Sequence, residues 1–312
     1  MALGGNVLRQ HVVEFIRGTG IVTDGVVDAT SLNGPWSWQV PDGVVDVFLD
    51  GCGPGAGGGG GWNTGISLSG AGGGGSGQVV QGLRMTVLPN SILAVTVAPG
   101  GLGGAAGVVP ADPGNVVISG FLPGTPLAGM NESPNLSTLF LRGGSAGITS
   151  SSSGGEGGKA GSGRFDFGME SAKLGPANAA TADNGASTGN VASFTMGQSF
   201  TYGHGAAAGG NASTTGSVAG GRGGALEFRG SLFWTSGIAS TRSLGDTTGT
   251  VSRGGGGDGG STYFGLGGKG GNGGAPGGNA TGYGAGGGGG GGGAAGGNGS
   301  DGYVRFIYWS MD

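Results

Sequence analysis

The sequence predicts a mainly β protein with extensive irregular structure. A small antiparallel β-sheet domain is joined to a bundle of polyglycine helices (type II, polyproline-like) by long loops, and a C-terminal strand returns to the early sheet. Three observations carry this. Glycine supplies 88 of 312 residues, about fourfold its usual share. It is gathered into seven tracts, 53–61, 70–77, 154–163, 219–224, 254–260, 265–278 and 284–299, several with a Gly-Gly-X period. Segments of alternating apolar residues lie between and beyond the tracts, within 36–144 and again at 301–309.

Residues 1–34 read as an N-terminal docking segment. Leu8, Val12, Phe15 and Ile16 recur at spacings of three and four, which suits a helix, while Val12-Val13 and GIVTDGVVDAT equally suit short strands. These four residues are the candidate assembly contacts. The remainder, 35–312, reads as one unit: β-rich over 35–144, glycine helices and loops over 145–299, and a closing strand over 300–312.

In the β-rich part, WSWQVPDGVVDVFLDG places alternating strands on either side of a Pro-Asp-Gly turn. GQVVQGLRMTVLPNSILAVTVAPGG repeats the device around Pro89-Asn90, and NVVISGFLPG and LSTLFLRGG supply two further strands. At the far end Tyr303, Arg305, Ile307 and Trp309 alternate with Val304, Phe306 and Tyr308. Such a strand must pair, and the early sheet is the economical partner. Trp36, Trp38, Phe48, Phe306, Tyr308 and Trp309 are expected in the sheet core.

The tracts pose an energetic problem. Ordering a backbone residue costs roughly 1–2 kcal/mol, and a net hydrogen bond returns about 0.5–1.5 kcal/mol. One tract alone stays unfolded as a flexible linker. A threefold extended helix rises about 3.1 Å per residue and points every N–H and C=O sideways, so several tracts side by side can bond to one another. The period then explains Gly-Gly-X: in GGKGGNGGA the outward positions are Lys269, Asn272 and Ala275, and the octaglycine 286–293 belongs inside. A collagen helix would need a long unbroken Gly-X-Y register rich in proline, and the 12 prolines lie mostly outside the tracts.

Composition narrows the chemistry. With one cysteine, Cys52, neither an internal disulfide nor a multi-thiolate metal site is expected. A net charge of −4 argues against nucleic acid. The chain shows no secretory h-region and no apolar run of membrane-spanning length, so neither secretion nor membrane insertion is expected. Lys159 and Lys269 lack the Ser/Thr of a Walker loop, His11 and His204 stand apart from ligand partners, and Glu156, Asp166, Glu170 and Glu227 are scattered. No enzyme activity and no cofactor are expected.

At WSWQVPDGVVDVFLDGCGPGAGGGGG the chain resembles the glycine-rich domain of bacteriophage tail and virion proteins. GAGGGGSG, LPNSILAVTVAPGG and SDGYVRFIYW continue the pattern across 36–312, with 110–250 departing from it. It is similar, more loosely, to the tail-fibre tip adhesins of T-even-like phages, whose polyglycine helices present recognition loops. The resemblance implies a non-enzymatic virion protein assembled in the bacterial cytoplasm, tail-associated as fibre, tail tip or baseplate. Its partners would be other virion proteins or further copies of itself. Loops 125–135, 164–205 and 225–249 would face outward. Trp62, Tyr202, His204, Phe233, Trp234, Tyr263, Phe264 and Tyr283 punctuate the glycine segments. They suit either caps on the bundle ends or a surface for a host glycan or outer-membrane protein. A purely structural assembly or head-decoration part is the rival reading.

Overall fold

The structure, a computed structural model, describes residues 8–63, 67–122, 137–149, 157–158, 200–202, 212–213, 216–217, 246–248 and 251–311. Among these residues all regular structure is β-strand and no helix is present. In chain order the strands are β1 Leu8–Ile16, β2 Gly20–Thr23, β3 Val26–Asp28, β4 Trp36–Gln39, β5 Asp46–Cys52, β6 Trp62–Asn63 and β7 Ser67–Ser69. They continue as β8 Val79–Thr86, β9 Ile92–Thr96, β10 Val116–Ser119, β11 Thr138–Leu141, β12 Phe200–Tyr202 and β13 Ala212–Ser213. The last are β14 Gly216–Ser217, β15 Asp246–Thr248, β16 Val251–Arg253, β17 Gly265–Leu266, β18 Thr281–Gly282 and β19 Tyr303–Met311.

Seven strands form one antiparallel sheet in the order β12-β8-β5-β19-β1-β2-β3, and four form another in the order β11-β10-β9-β4. A single apolar cluster draws on both sheets: Val13, Phe15, Leu49, Met85 and Phe306 from the first, and Trp36, Trp38, Leu93, Ile118 and Leu139 from the second. The C-terminal strand does return to the early sheet, pairing with β5 so that Phe306 lies opposite Leu49.

The N-terminal segment is strand, not helix, and is built into the larger sheet. β1 runs between β19 and β2, with Val13 opposite Phe306 and Phe15 opposite Val304. Asp24 and Gly25, both with positive φ, close the β2–β3 hairpin as a two-residue turn. Alternation then divides the helix-like quartet. Phe15 is buried in the core, whereas Leu8, Val12 and Ile16 fall on the other face, with Leu8 the most exposed. The same alternation removes Phe48 and Trp309 from the expected core. They meet edge-on outside it, ring centroids 5.5 Å apart, and Trp309 is 42% exposed.

The Asp24 carboxylate accepts from the Val12 N–H at 2.8 Å and meets His11 Nδ1 at 2.7 Å. The Val12 bond first, then His11, holds its pKa below the usual carboxylate range. A depressed pKa means that this bond contributes fully above about pH 3.9 and is lost as pH falls through the lower, folded value. An NMR titration should therefore give Asp24 a midpoint below that of a free aspartate, with the Val12 amide losing exchange protection in the same acid window.

Glycine tracts pack beside the sandwich, and their bonds repeat every third residue. From the octaglycine, Gly286, Gly289 and Gly292 donate to the carbonyls of Gly260, Gly257 and Gly254. Gly287 and Gly290 donate to Ala56 and Gly59, and Gly288 and Gly291 to Gly278 and Ala275. Its own carbonyls accept from Ala71 and Gly74, from Gly268 and Gly271, and from Gly297, while the adjoining Ala285 carbonyl accepts from Ser300. Six segments thus surround 284–292, and every residue of that stretch is buried. A methyl group added at Gly286, Gly287, Gly288, Gly289, Gly290 or Gly291 would lie within 3.0 Å of a neighbouring backbone carbonyl oxygen. On the outer tract 267–275, Lys269, Asn272 and Ala275 are exposed while Gly268 and Gly271 are buried.

Along some tract edges side chains, not backbone carbonyls, receive the N–H groups at the same three-residue interval. Gly100 and Gly103 donate to Asp301 and Asn298, and Gly143 and Ala146 to Asn115 and Asp112. Gly267 and Gly270 donate to Ser261 and the buried Asp258. Each pair runs antiparallel to the tract it terminates. A carboxylate, amide or hydroxyl stands in for the missing backbone carbonyl.

Candidate aromatic surface

The junction between the seven-stranded sheet and the glycine tracts carries a cluster of charged and aromatic side chains. Across β1, β19 and β5, Glu14 lies opposite Arg305, Arg305 opposite Asp50, and Tyr303 opposite Cys52. Alternation places Glu14, Asp50, Tyr303 and Arg305 on the face away from the apolar core. The Arg305 guanidinium pairs with Asp50 at 2.5 Å, and the other Asp50 oxygen accepts from the Gly82 N–H at 2.7 Å. The Tyr303 hydroxyl donates to the Glu14 carboxylate.

Tyr303 is the buried base of an aromatic stack. Tyr283 lies parallel to it with centroids 4.8 Å apart, Phe264 leans on it at 5.2 Å, and Tyr263 meets Phe264 edge-on at 5.1 Å. The backbone beneath is fixed: β17 pairs with β18, Tyr283 N–H donates to the Phe264 carbonyl at 3.0 Å, and Thr262 Oγ1 donates to the Tyr283 carbonyl at 2.6 Å. Tyr263 and Leu266 emerge at the surface, each a little over two-fifths exposed. Burial foremost, then Glu14, raises the pKa of both Tyr303 and Tyr283, so both phenols stay neutral, and that of Tyr303 serves as the hydrogen-bond donor to Glu14. The arrangement offers fixed ring faces and hydroxyls for packing against a partner.

Three of the eight aromatic residues singled out in the sequence, Tyr263, Phe264 and Tyr283, therefore come together. Trp62 does not join them. It follows the other end of tract 53–61, with its ring beside Gly107 and its buried indole N–H lacking an acceptor among the described residues. His204, Phe233 and Trp234 lie outside the described residues, as do the side chain of Tyr202 and loops 125–135, 164–199, 203–205, 225–245 and 249. Sequence reasoning missed Glu14, Asp50 and Arg305. Arg305 and Tyr303 two residues apart were the available signal, since both had to leave the core on the face opposite Phe306.

Cys52 sits under this junction, fully buried with its thiol against Gly284, and burial pushes its pKa well up. Native protein at pH 8 should resist alkylation that goes to completion in denaturant, as read by intact mass; labelling at equal rates would contradict this packing. Among the described residues no group of three or more His, Cys, Asp or Glu side chains could hold a metal ion, and no helix is long and apolar enough to cross a membrane. No family model matches the chain, and no curated protein is significantly similar to it.

Proposed function

We propose that this chain is a non-enzymatic structural protein of a bacteriophage particle, tail-associated as a fibre, tail-tip or baseplate component, assembled in the host cytoplasm and carried in the virion. In this reading the tracts are polyglycine helices of the threefold extended type. The observation that carries it is the three-residue interval at which tract N–H groups find carbonyls on six surrounding segments. A bundle held by backbone bonds has little freedom to deform, so it serves as a rigid mount. The Tyr263–Phe264–Tyr283 surface, fixed by its stack on Tyr303, is then the described part of a host-recognition face. Its external partner is a host surface glycan or an outer-membrane protein. Within the particle the partners are other virion proteins or further copies of the chain, with nucleic acid and membrane insertion playing no part.

A second reading, an assembly or head-decoration part without receptor binding, draws on exposed Leu8, Trp309 and Met311 on the outer face of the larger sheet. Proteomics and immunogold labelling of purified particles test the shared claim, and absence from the particle would end both readings. Binding of purified protein to host cells then separates them. Tyr263→Ala with Phe264→Ala should lower cell binding at least tenfold if the aromatic face recognises the host.

A further inference from the structure

We propose that the side chains at every third position of the outer tracts are blocks that stop a second copy of the chain from adding its own glycine tract to the bundle. This rests on reading the tracts as threefold glycine helices. Inside, the octaglycine meets its neighbours with no side chain of its own, and at 286–291 even a methyl group would collide with backbone. Elsewhere the tracts do bury the methyl groups of Ala56, Ala71 and Ala285. At the rim the same geometry ends differently. Tract 100–107 bonds inward through Gly101, Gly104 and Gly107 to tract 53–61, and its Gly100 and Gly103 N–H groups are taken by Asp301 and Asn298. The third row is left over. It holds Leu102 and Ala105, both exposed, Leu102 at 73%.

The Leu102 N–H meets no acceptor among the described residues. Lys269 and Ala295 repeat this on other outer tracts. Each is an open bonding position facing water, comparable to the free edge of a sheet, which recruits another chain unless something obstructs it. A Cβ suffices as the obstruction where the bonding side is as close as at 286–291, which leave no room for one. The fitting occupant is a glycine tract of an identical molecule, since it offers N–H and C=O groups at the same interval and no side chain of its own.

The test compares two full-length variants by sedimentation velocity over a concentration series. Leu102→Gly with Ala105→Gly strips the row, and Leu102→Ala alone leaves a methyl group at both positions. The stripped variant should self-associate at concentrations at least tenfold below the parent, while Leu102→Ala behaves as the parent. Association of the stripped variant no stronger than the parent's would overturn the proposal. So would equal association by Leu102→Ala, because loss of a bulky side chain would then suffice. Hydrogen exchange on the unaltered chain gives an independent reading should the stripped variant not fold. Leu102, Lys269 and Ala295 amides should exchange at least about a hundredfold faster than Gly101, Gly268 and Gly297. Equal, strong protection of both sets would overturn the blocking role, whereas no protection in either set would overturn the glycine-helix reading.

Discussion

Alanine at Gly289 is expected to unfold the protein or to destabilise it by more than about 4 kcal/mol, a size reached by few point substitutions. Gly289 donates to the Gly257 carbonyl at 2.8 Å, accepts from the Gly271 N–H at 2.9 Å, and would aim a methyl group at the Ala71 carbonyl oxygen. Overpacking an ordinary core costs about 1–3 kcal/mol because side chains can change rotamer. Here the obstructing atoms are backbone. Moving tract 70–77 aside also strains its bonds to 53–61 and to 142–148, so relief at one contact is loss at several others. The contrast is Lys269→Ala, on an exposed position of an outer tract, which should change stability by no more than about 0.5 kcal/mol. Urea denaturation followed by tryptophan fluorescence measures both. A Gly289→Ala protein with the parent's midpoint would mean that the octaglycine is not enclosed as described.

Much of this fold is written in the sequence, and the parts that are not have physical reasons. Period-two alternation located β4, β5, β8, β9 and β19, because each has one face in the core and one outside. The exposed positions Lys269, Asn272 and Ala275 followed from Gly-Gly-X spacing alone. Alternation does not say which of two mixed faces turns inward, and Phe48 and Trp309 were misplaced for that reason. The N-terminal quartet was ambiguous because a spacing of three and four describes a helix, while the strand is decided by pairing with β19 nearly three hundred residues away. The stand-in acceptors were hidden in ordinary-looking polar residues. Asp112 and Asn115, Asp258 and Ser261, and Asn298 and Asp301 are each three apart, and only the bonding interval of the adjoining tract gives that spacing a meaning. The aromatic surface was half legible: Tyr263, Phe264 and Tyr283 stand out among glycines, but the Tyr303 that gathers them reads as one more strand residue.

Phe306→Ala should cost about 3–5 kcal/mol, the range for truncating a buried phenylalanine. Phe306 is fully buried between the sheets, edge-on to Phe15 at 5.2 Å and tilted against Trp38 at 5.4 Å. Such aromatic pairs add about 0.5–1.5 kcal/mol beyond area. Trp309→Ala, three residues along the same strand but on the outer face, should cost about 1 kcal/mol or less. The larger consequence concerns how the two halves of the protein depend on each other. β19 follows directly from tract 294–302, in which Gly297 donates to Gly288 of the octaglycine and Ser300 to the adjoining Ala285, so the strand anchored by Phe306 also sets the register of that tract. A glycine bundle without an apolar anchor has hydrogen bonds that barely offset the entropy of ordering it. Loosening the seam should therefore release the bundle in the same transition. Amides of Gly297 and Gly299 should lose protection in Phe306→Ala in step with those of Val304 and Leu49, all to one common free energy. Should the tract amides keep their protection while the sheet amides lose theirs, the glycine bundle would be stable by itself and the sandwich would not be its anchor.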